Sequence, residues 1–400
     1  MKPLRTLCLL LTIFVSGSLS HALEAQTLLI DSWPETVPGA PAPGRKVAET
    51  LPAYRGTEVH HLLYLPENYD PSRRYPVLVE LTGNRWAYGN GTVEEAHLGY
   101  SITLGRDFIW VVPPYVNRAG TANETTWWGD ADRTVAYLKE LVAHLVGNWQ
   151  ADPRRIFLCG FSRGAIGCSY IGLHDDEIAR LWCGFLSHDH FDGQREWKGQ
   201  DWGSPLTKYR QEAAERLKRV DGRDWYVSSN GRARSPYPEV LGTMGVAGFG
   251  NYFFATVDIR KRFPTIPNDW FGSAHNDCWP AFDLPESARI RYWLRRVDNR
   301  LQGVKVWKRD YVEAEAVAGF GMIVDSGTPG QQACIYADLP TDSCRVVELV
   351  YREDDGAPVR LSSATNPREF RFGLPAGSRR LTFRFGWDGR RSPEYTLSRE

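Results

Sequence analysis

The chain has 400 residues, 42% hydrophobic and 24% charged, enough for one large core and a smaller second domain. Lysine plus arginine and aspartate plus glutamate both number 48, so the formal net charge is zero. Neither a basic surplus nor a charged tail is present, and no nucleic-acid partner is expected.

Residues 1–22 read as a secretory signal. Lys2 and Arg5 give a positive start, residues 7–15 are apolar, and Ser20 and Ala22 supply small residues for cleavage after Ala22. The apolar run is too short to span a bilayer and nothing later replaces it, so stable membrane insertion is not expected. The expected location is secreted or periplasmic. Cleavage removes Cys8 and leaves six of the seven cysteines. Cys334 and Cys344 flank a short turn containing Pro and Asp and are the expected disulfide pair; Cys159, in an apolar strand pattern, is expected to be a buried thiol.

Residues 28–52 are rich in Pro and Gly and read as an irregular lead-in. From residue 60 the pattern runs strand, loop, strand, and the second strand, 77–81, is apolar throughout except for Glu80. A strand at 108–112 stops at Pro113-Pro114. Residues 130–149 predict an amphipathic helix, with Val135, Leu138, Leu141, Val142 and Leu145 on one face. Further strands follow at 156–159, 181–186, 225–228 and 252–257, with helices at 205–220 and 285–297. Such alternation predicts a mostly parallel sheet with helices on both faces. Beyond residue 307 the texture becomes period-two strands joined by Gly, Pro and Asp turns, a small all-β accessory domain of sandwich type.

The chemistry concentrates in Gly160-Phe161-Ser162-Arg163-Gly164. A buried strand precedes the pentapeptide and a helix of small residues follows it, as a nucleophilic serine on a sharp strand-to-helix turn requires. The helix N-terminus then favours negative charge developing at the site. His275 follows the last strand and precedes the closing helix, the position for a general base. The acid is open among three carboxylates. The loop after 225–228 offers none before Glu239, whereas the preceding strand ends in Ser187-His188-Asp189-His190-Phe191-Asp192. Asp192 is the first choice, then Asp189, then Glu239. An oxyanion is expected to meet the backbone N–H of Arg163 and one from the Gly83-Asn84 loop, with Trp86 beside it. Trp86, Trp127, Trp128, Trp197, Trp202 and Trp279 could together line an aromatic cleft.

The segments YLPENYDPSRRYPVLVELTG, RIFLCGFSRGA and AHNDCW resemble the extracellular esterases related to feruloyl esterases, acetylxylan esterases and polyhydroxybutyrate depolymerases. The resemblance spans residues 64–297. It implies an α/β-hydrolase fold over 23–306, no cofactor, and hydrolysis of carboxylic esters, small or borne on polysaccharides. Ser162 and His275 match the family's nucleophile and base. Thr82-Gly83 stands where the family has His-Gly, and the family's Asp after the strand before the base is missing.

Two other readings are carried. A chain lacking its acid could be a non-catalytic polysaccharide-binding protein on a hydrolase fold. His188, His190 and Asp192 also have a spacing from which a metal-dependent hydrolase could draw ligands, although no complete metal set is expected.

Overall fold

The computed structural model describes residues 28–231, 235–263, 273–312, 319–325, 331–337, 347–362, 368–387 and 389–399. The expected signal segment and Cys344, hence the expected Cys334–Cys344 pair, lie outside them.

Eight strands form the central sheet: β1 (Lys46–Glu49), β2 (His61–Tyr64), β3 (Tyr75–Leu81), β4 (Ile109–Val112), β5 (Ala151–Phe161), β6 (Gly184–His188), β7 (Asp224–Asn230) and β8 (Asn251–Val257). Their spatial order is β1-β2-β4-β3-β5-β6-β7-β8. β1 and β2 run antiparallel to their neighbours, and every pair from β4 and β3 onward is parallel. This is an α/β-hydrolase fold. β3 and β6 are buried along their whole lengths, which is why they read as apolar runs. β1 falls inside the stretch expected to be irregular: its four residues were masked by the surrounding Pro and Gly, yet they pair with β2.

Helices cover both faces. Leu78, Phe157, Leu186 and Tyr226 pack on the closing helix side, while Val77, Val79, Leu158 and Phe185 pack with α2 (Ala131–Asn148) on the other. Asp130 caps α2 by accepting the Arg133 N–H at 3.0 Å, so the helix begins one residue after the expected start. α1 (Leu98–Thr103), α3 (Arg163–Tyr170), α4 (Leu206–Leu217) and α5 (Pro285–Leu301) complete the parts used below. Among the described residues, no helix is long and apolar enough to cross a membrane.

Among the described residues the C-terminal region is antiparallel, with one six-stranded and one three-stranded sheet. The strand Arg380–Trp387 buries Leu381, Phe383, Phe385 and Trp387 in alternation, the period-two pattern seen in the sequence. These side chains share a core with Ala333, Ile335 and Ala337 of the other sheet, so the two sheets form a sandwich. Tyr292 of α5 packs against Phe320, Met322 and Tyr336, which joins the sandwich to the hydrolase core.

Candidate active site

Ser162 stands between β5 and α3 with φ 55° and ψ −115°. A non-glycine residue adopts such a backbone only when its surroundings impose it. The flanking glycines permit the turn. A Cβ on Gly160 would lie 2.2 Å from the Gly164 carbonyl oxygen, and one on Gly164 would lie 1.8 Å from that of Leu81. The Ser162 N–H donates to the His188 carbonyl at 3.0 Å, which ties the elbow to the end of β6.

His275 Nε2 lies 2.9 Å from Ser162 Oγ. Its Nδ1 meets the Asp189 carboxylate in a hydrogen bond. The other Asp189 oxygen accepts the Asn230 N–H at 2.9 Å. Burial pulls the Asp189 carboxyl upward, but the His275 hydrogen bond and the Asn230 amide outweigh it and hold the group at about 2. Asp189 is therefore an anion at neutral pH. Phe161 packs its ring 4.5 Å from the imidazole between centroids, and Trp86 meets it edge-on at 5.5 Å.

The first-choice acid is corrected by this geometry. Asp192 turns away from His275, accepting from Arg216 at 2.9 and 3.2 Å and from Ser169 Oγ at 2.7 Å, with its side chain wholly enclosed. The reason is position along the chain: Asp189 directly follows the last residue of β6, level with Ser162, whereas Asp192, three residues on, sits against Ser169 of α3 and Arg216 of α4. Glu239 lies in the helix Tyr237–Met244. The non-catalytic reading rested on a missing acid and loses that ground.

The possible metal loop is also taken apart. His188 is fully buried; its Nδ1 faces Ser228 Oγ at 2.9 Å and its Nε2 accepts the Trp279 indole N–H at 3.2 Å. Both nitrogens are engaged, and Asp192 belongs to Arg216. His190, pushed down to about 3 by burial and then by His275, packs as a neutral ring between His275 and Trp197.

The Arg163 side chain is a feature the motif did not foretell. It is 1% exposed, and its guanidinium donates to the carbonyls of Trp127 (2.7 Å), Gly83 (2.8 Å) and Gly91 (3.2 Å) and to Thr82 Oγ1 (3.2 Å). The Tyr115 ring lies 4.0 Å away, a cation–π contact. Among the described residues no carboxylate forms an ion pair with it, and burial lowers its affinity for the proton to about 10. Holding the Gly83 carbonyl has a geometric result: across a planar trans peptide, the Asn84 N–H must point the opposite way. Among the described residues, the N–H groups of Asn84 and Arg163 meet no protein acceptor, as donors kept for an oxyanion should. The Asn84 side chain is occupied elsewhere, accepting the Trp127 N–H at 2.6 Å.

A cleft of about 260 Å³ runs past Gly83, Asn84, Trp86, Tyr88 and His275. Of the six tryptophans considered above, Trp86 is 43% exposed beside the imidazole, while Trp128 and Trp279 are core residues. Trp127, Trp197 and Trp202 are half-buried and packed on one another.

Fold and geometry together define a class: an α/β-hydrolase with a serine–histidine–aspartate chain at the carboxyl edge of its sheet. Residues 53–178, from before β2 through the Ser162 turn and α3, match the family model described as "Putative esterase". The match supports a carboxylic ester hydrolase. No curated protein matches the chain. Among solved structures, the chain is similar to a thermostable esterase (14% identity, 63% of this chain and 62% of that one, TM-score 0.39). It is also similar to an S-formylglutathione hydrolase from Agrobacterium tumefaciens (16%, 67% and 99%, TM-score 0.44). A third is an esterase of the Planctomycetes species Thermogutta terrifontis (14%, 54% and 82%, TM-score 0.37). The chain thus spans 62% of the length of the first of these, and likenesses so remote carry no argument about function.

Proposed function

We propose that the protein is a serine carboxylic ester hydrolase acting by acyl transfer. One observation carries the reading: Ser162 Oγ, the two ring nitrogens of His275 and the Asp189 carboxylate are hydrogen-bonded in series on a strained elbow. His275 Nε2 takes the Ser162 proton as Oγ bonds to the ester carbonyl carbon. The Arg163 and Asn84 N–H groups receive the oxyanion, and His275 returns the proton to the leaving alcohol. Water then repeats the sequence on the acyl-enzyme, His275 taking its proton and Ser162 recovering one as the acid departs. Asp189 fixes the Nδ1–H tautomer and steadies the imidazolium.

The substrate class we propose is a small acyl or aryl ester, including esters borne on polysaccharides. The exposed rings of Trp86 (43%) and Tyr88 (65%) beside the cleft support it, since flat aromatic faces suit sugar and aryl groups. So does the resemblance to feruloyl and acetylxylan esterases. A secreted or periplasmic location is supported by the signal-like residues 1–22.

Short p-nitrophenyl esters and a fluorophosphonate probe test the mechanism. The wild type should turn over the esters and be labelled on Ser162; Ser162→Ala should lose the label and on the order of 10⁶ in kcat while melting normally. A folded wild type showing neither turnover nor label would end the reading. A panel of acetyl, feruloyl and hydroxyalkanoate esters then tests the substrate class.

A further inference from the structure

Beyond the catalytic chain, the cleft wall carries a second cluster. His97, the residue before α1, meets Asp277 and Cys278 of the loop that follows His275. His97 Nδ1 lies 3.6 Å from Asp277 Oδ1, and Cys278 Sγ lies 3.7 Å from the same oxygen. One donor atom from each residue can be chosen so that all lie within 4.8 Å of one another. We propose that His97, Asp277 and Cys278 form a three-ligand site for a thiophilic divalent transition metal, zinc foremost, whose fourth position opens to the cleft.

Two of the three edges are near those a shared ion sets, and all three donor atoms lie within 4.8 Å of one another. Zinc bonds of about 2.0–2.3 Å in tetrahedral array place neighbouring ligand atoms roughly 3.3–3.8 Å apart. The His97–Asp277 edge falls in that range and is too long for a hydrogen bond between imidazole and carboxylate. The Cys278 thiol, which donates to Asp277 at 3.7 Å, would give up that proton to bind the ion. A mixed nitrogen, oxygen and sulfur set suits zinc and its neighbours and is poor for magnesium or calcium, which take oxygen.

The surroundings agree. The Asp277 Oδ2 atom accepts the His97 backbone N–H at 2.9 Å, which holds the carboxylate in place. Trp33 packs edge-on to the His97 ring at 5.5 Å. The two residues after His97 are anchored as well: Leu98 N and Gly99 N donate to the wholly buried Glu80, which also accepts from the Trp110 indole. Charge points the same way. One buried carboxyl and one buried thiol face the His97 imidazole. A divalent ion held by a thiolate, a carboxylate and a neutral imidazole forms a neutral unit, the arrangement that burial favours. All three residues line the same cleft as His275, so an ion can reach them from solvent. Asp277 is two residues from His275, and an ion bound there would brace the loop carrying the base.

The test reads binding rather than turnover. Full-length protein, reduced and stripped with chelator, is titrated with Zn²⁺ against a chromophoric chelator and, separately, with Co²⁺. The wild type should take up one zinc per chain and show the thiolate-to-cobalt charge-transfer band of a tetrahedral sulfur-containing site. Cys278→Ala should lose that band, and Cys278→Ala and His97→Ala should each weaken zinc binding at least about tenfold. Ser162→Ala should bind as the wild type does, so this inference and the hydrolase reading can fail separately. A wild type that binds no zinc would overturn the proposal. So would cobalt bound without a charge-transfer band, a result that does not depend on any variant folding.

Discussion

Asp189 and Asp192 lie three residues apart, and exchanging each for asparagine separates two roles that sequence alone confuses. In Asp189→Asn the carboxylate on His275 Nδ1 becomes an amide. A carboxyl held at about 2, against an ordinary value near 3.9, is favoured as the anion by roughly 2–3 kcal/mol, with burial opposing and the His275 bond the largest favourable cause. The imidazolium of the transition state loses support of that order, roughly two powers of ten in kcat. An amide that presents its own N–H to Nδ1 also selects the wrong tautomer, which in serine hydrolases takes the loss toward about 10⁴. Stability should change little. Asp192→Asn breaks a buried pair instead, leaving Arg216 short of its partner at a cost of about 3–5 kcal/mol. Its melting temperature should fall by roughly 5 °C, with kcat per folded molecule nearly unchanged. The assay is p-nitrophenyl ester turnover below the melting transition, normalised to fluorophosphonate-titrated sites, alongside thermal denaturation. If Asp192→Asn lost turnover while Asp189→Asn stayed within about tenfold of wild type, the assignment would be wrong.

Two further predictions rest on buried charges. Arg163→Met removes the donors to Gly83, Gly91 and Trp127, releasing the peptide that aims the Asn84 N–H; kcat should fall by roughly 10²–10³ with KM little altered. Steady-state kinetics check this, and an unchanged kcat in a folded variant would remove Arg163 from the oxyanion site. Glu369, 4% exposed as a side chain, pairs with Arg291 of α5 and with Arg371; burial raises its carboxyl, but Arg371, Arg291 and Arg295 together hold it at about 2. Because its folded value lies below the ordinary value near 4.3, it contributes stability above that pH and loses about 3 kcal/mol as pH falls toward 2. Chemical denaturation from pH 5 to 2 should show Glu369→Gln with a flatter acid limb than wild type, and parallel limbs would refute the contribution.

What the sequence made legible followed periodicity and local rules. α2 could be read because Val135, Leu138, Leu141, Val142 and Leu145 repeat at helical spacing, and all are buried. β3 could be read because both its faces are covered, and the one polar residue noticed in it, Glu80, proved to be wholly buried beneath α1. β1 was hidden because four residues among prolines carry too little pattern to declare a strand, and its partner in β2 supplies the reason it forms. The signals for the proposed nucleophile and base were local too, set by glycines and by chain order. The acid was not. Asp189 and Asp192 have the same chemistry, and the choice depends on where β6 stops, a boundary decided by pairing with β5 and β7. Arg163 shows a similar limit. The motif tolerates any residue at that position, and only the assembled fold brings four acceptors around its guanidinium.

The placement of the acid has a consequence for the neighbouring strand. A carboxylate expected after β7 is absent, and Asn230, the last residue of β7, stands at that edge instead. Its backbone N–H donates to Asp189 Oδ1 at 2.9 Å, its side-chain amide bonds the Ala274 carbonyl beside the base, and its side-chain oxygen accepts the Ile259 N–H at 3.3 Å. The backbone of one neutral residue thereby holds Asp189, while its side chain ties the His275 loop to the segment after β8. Moving the acid to β6 brings it next to the strand that carries Ser162, and Asp189 takes φ 69° to reach His275, a conformation that needs support. A carboxylate at position 230 would set a second negative charge against Asp189 and raise the very group that must stay ionised. Asparagine keeps the hydrogen bonds without the charge, so the edge of β7 serves the acid of β6 rather than duplicating it.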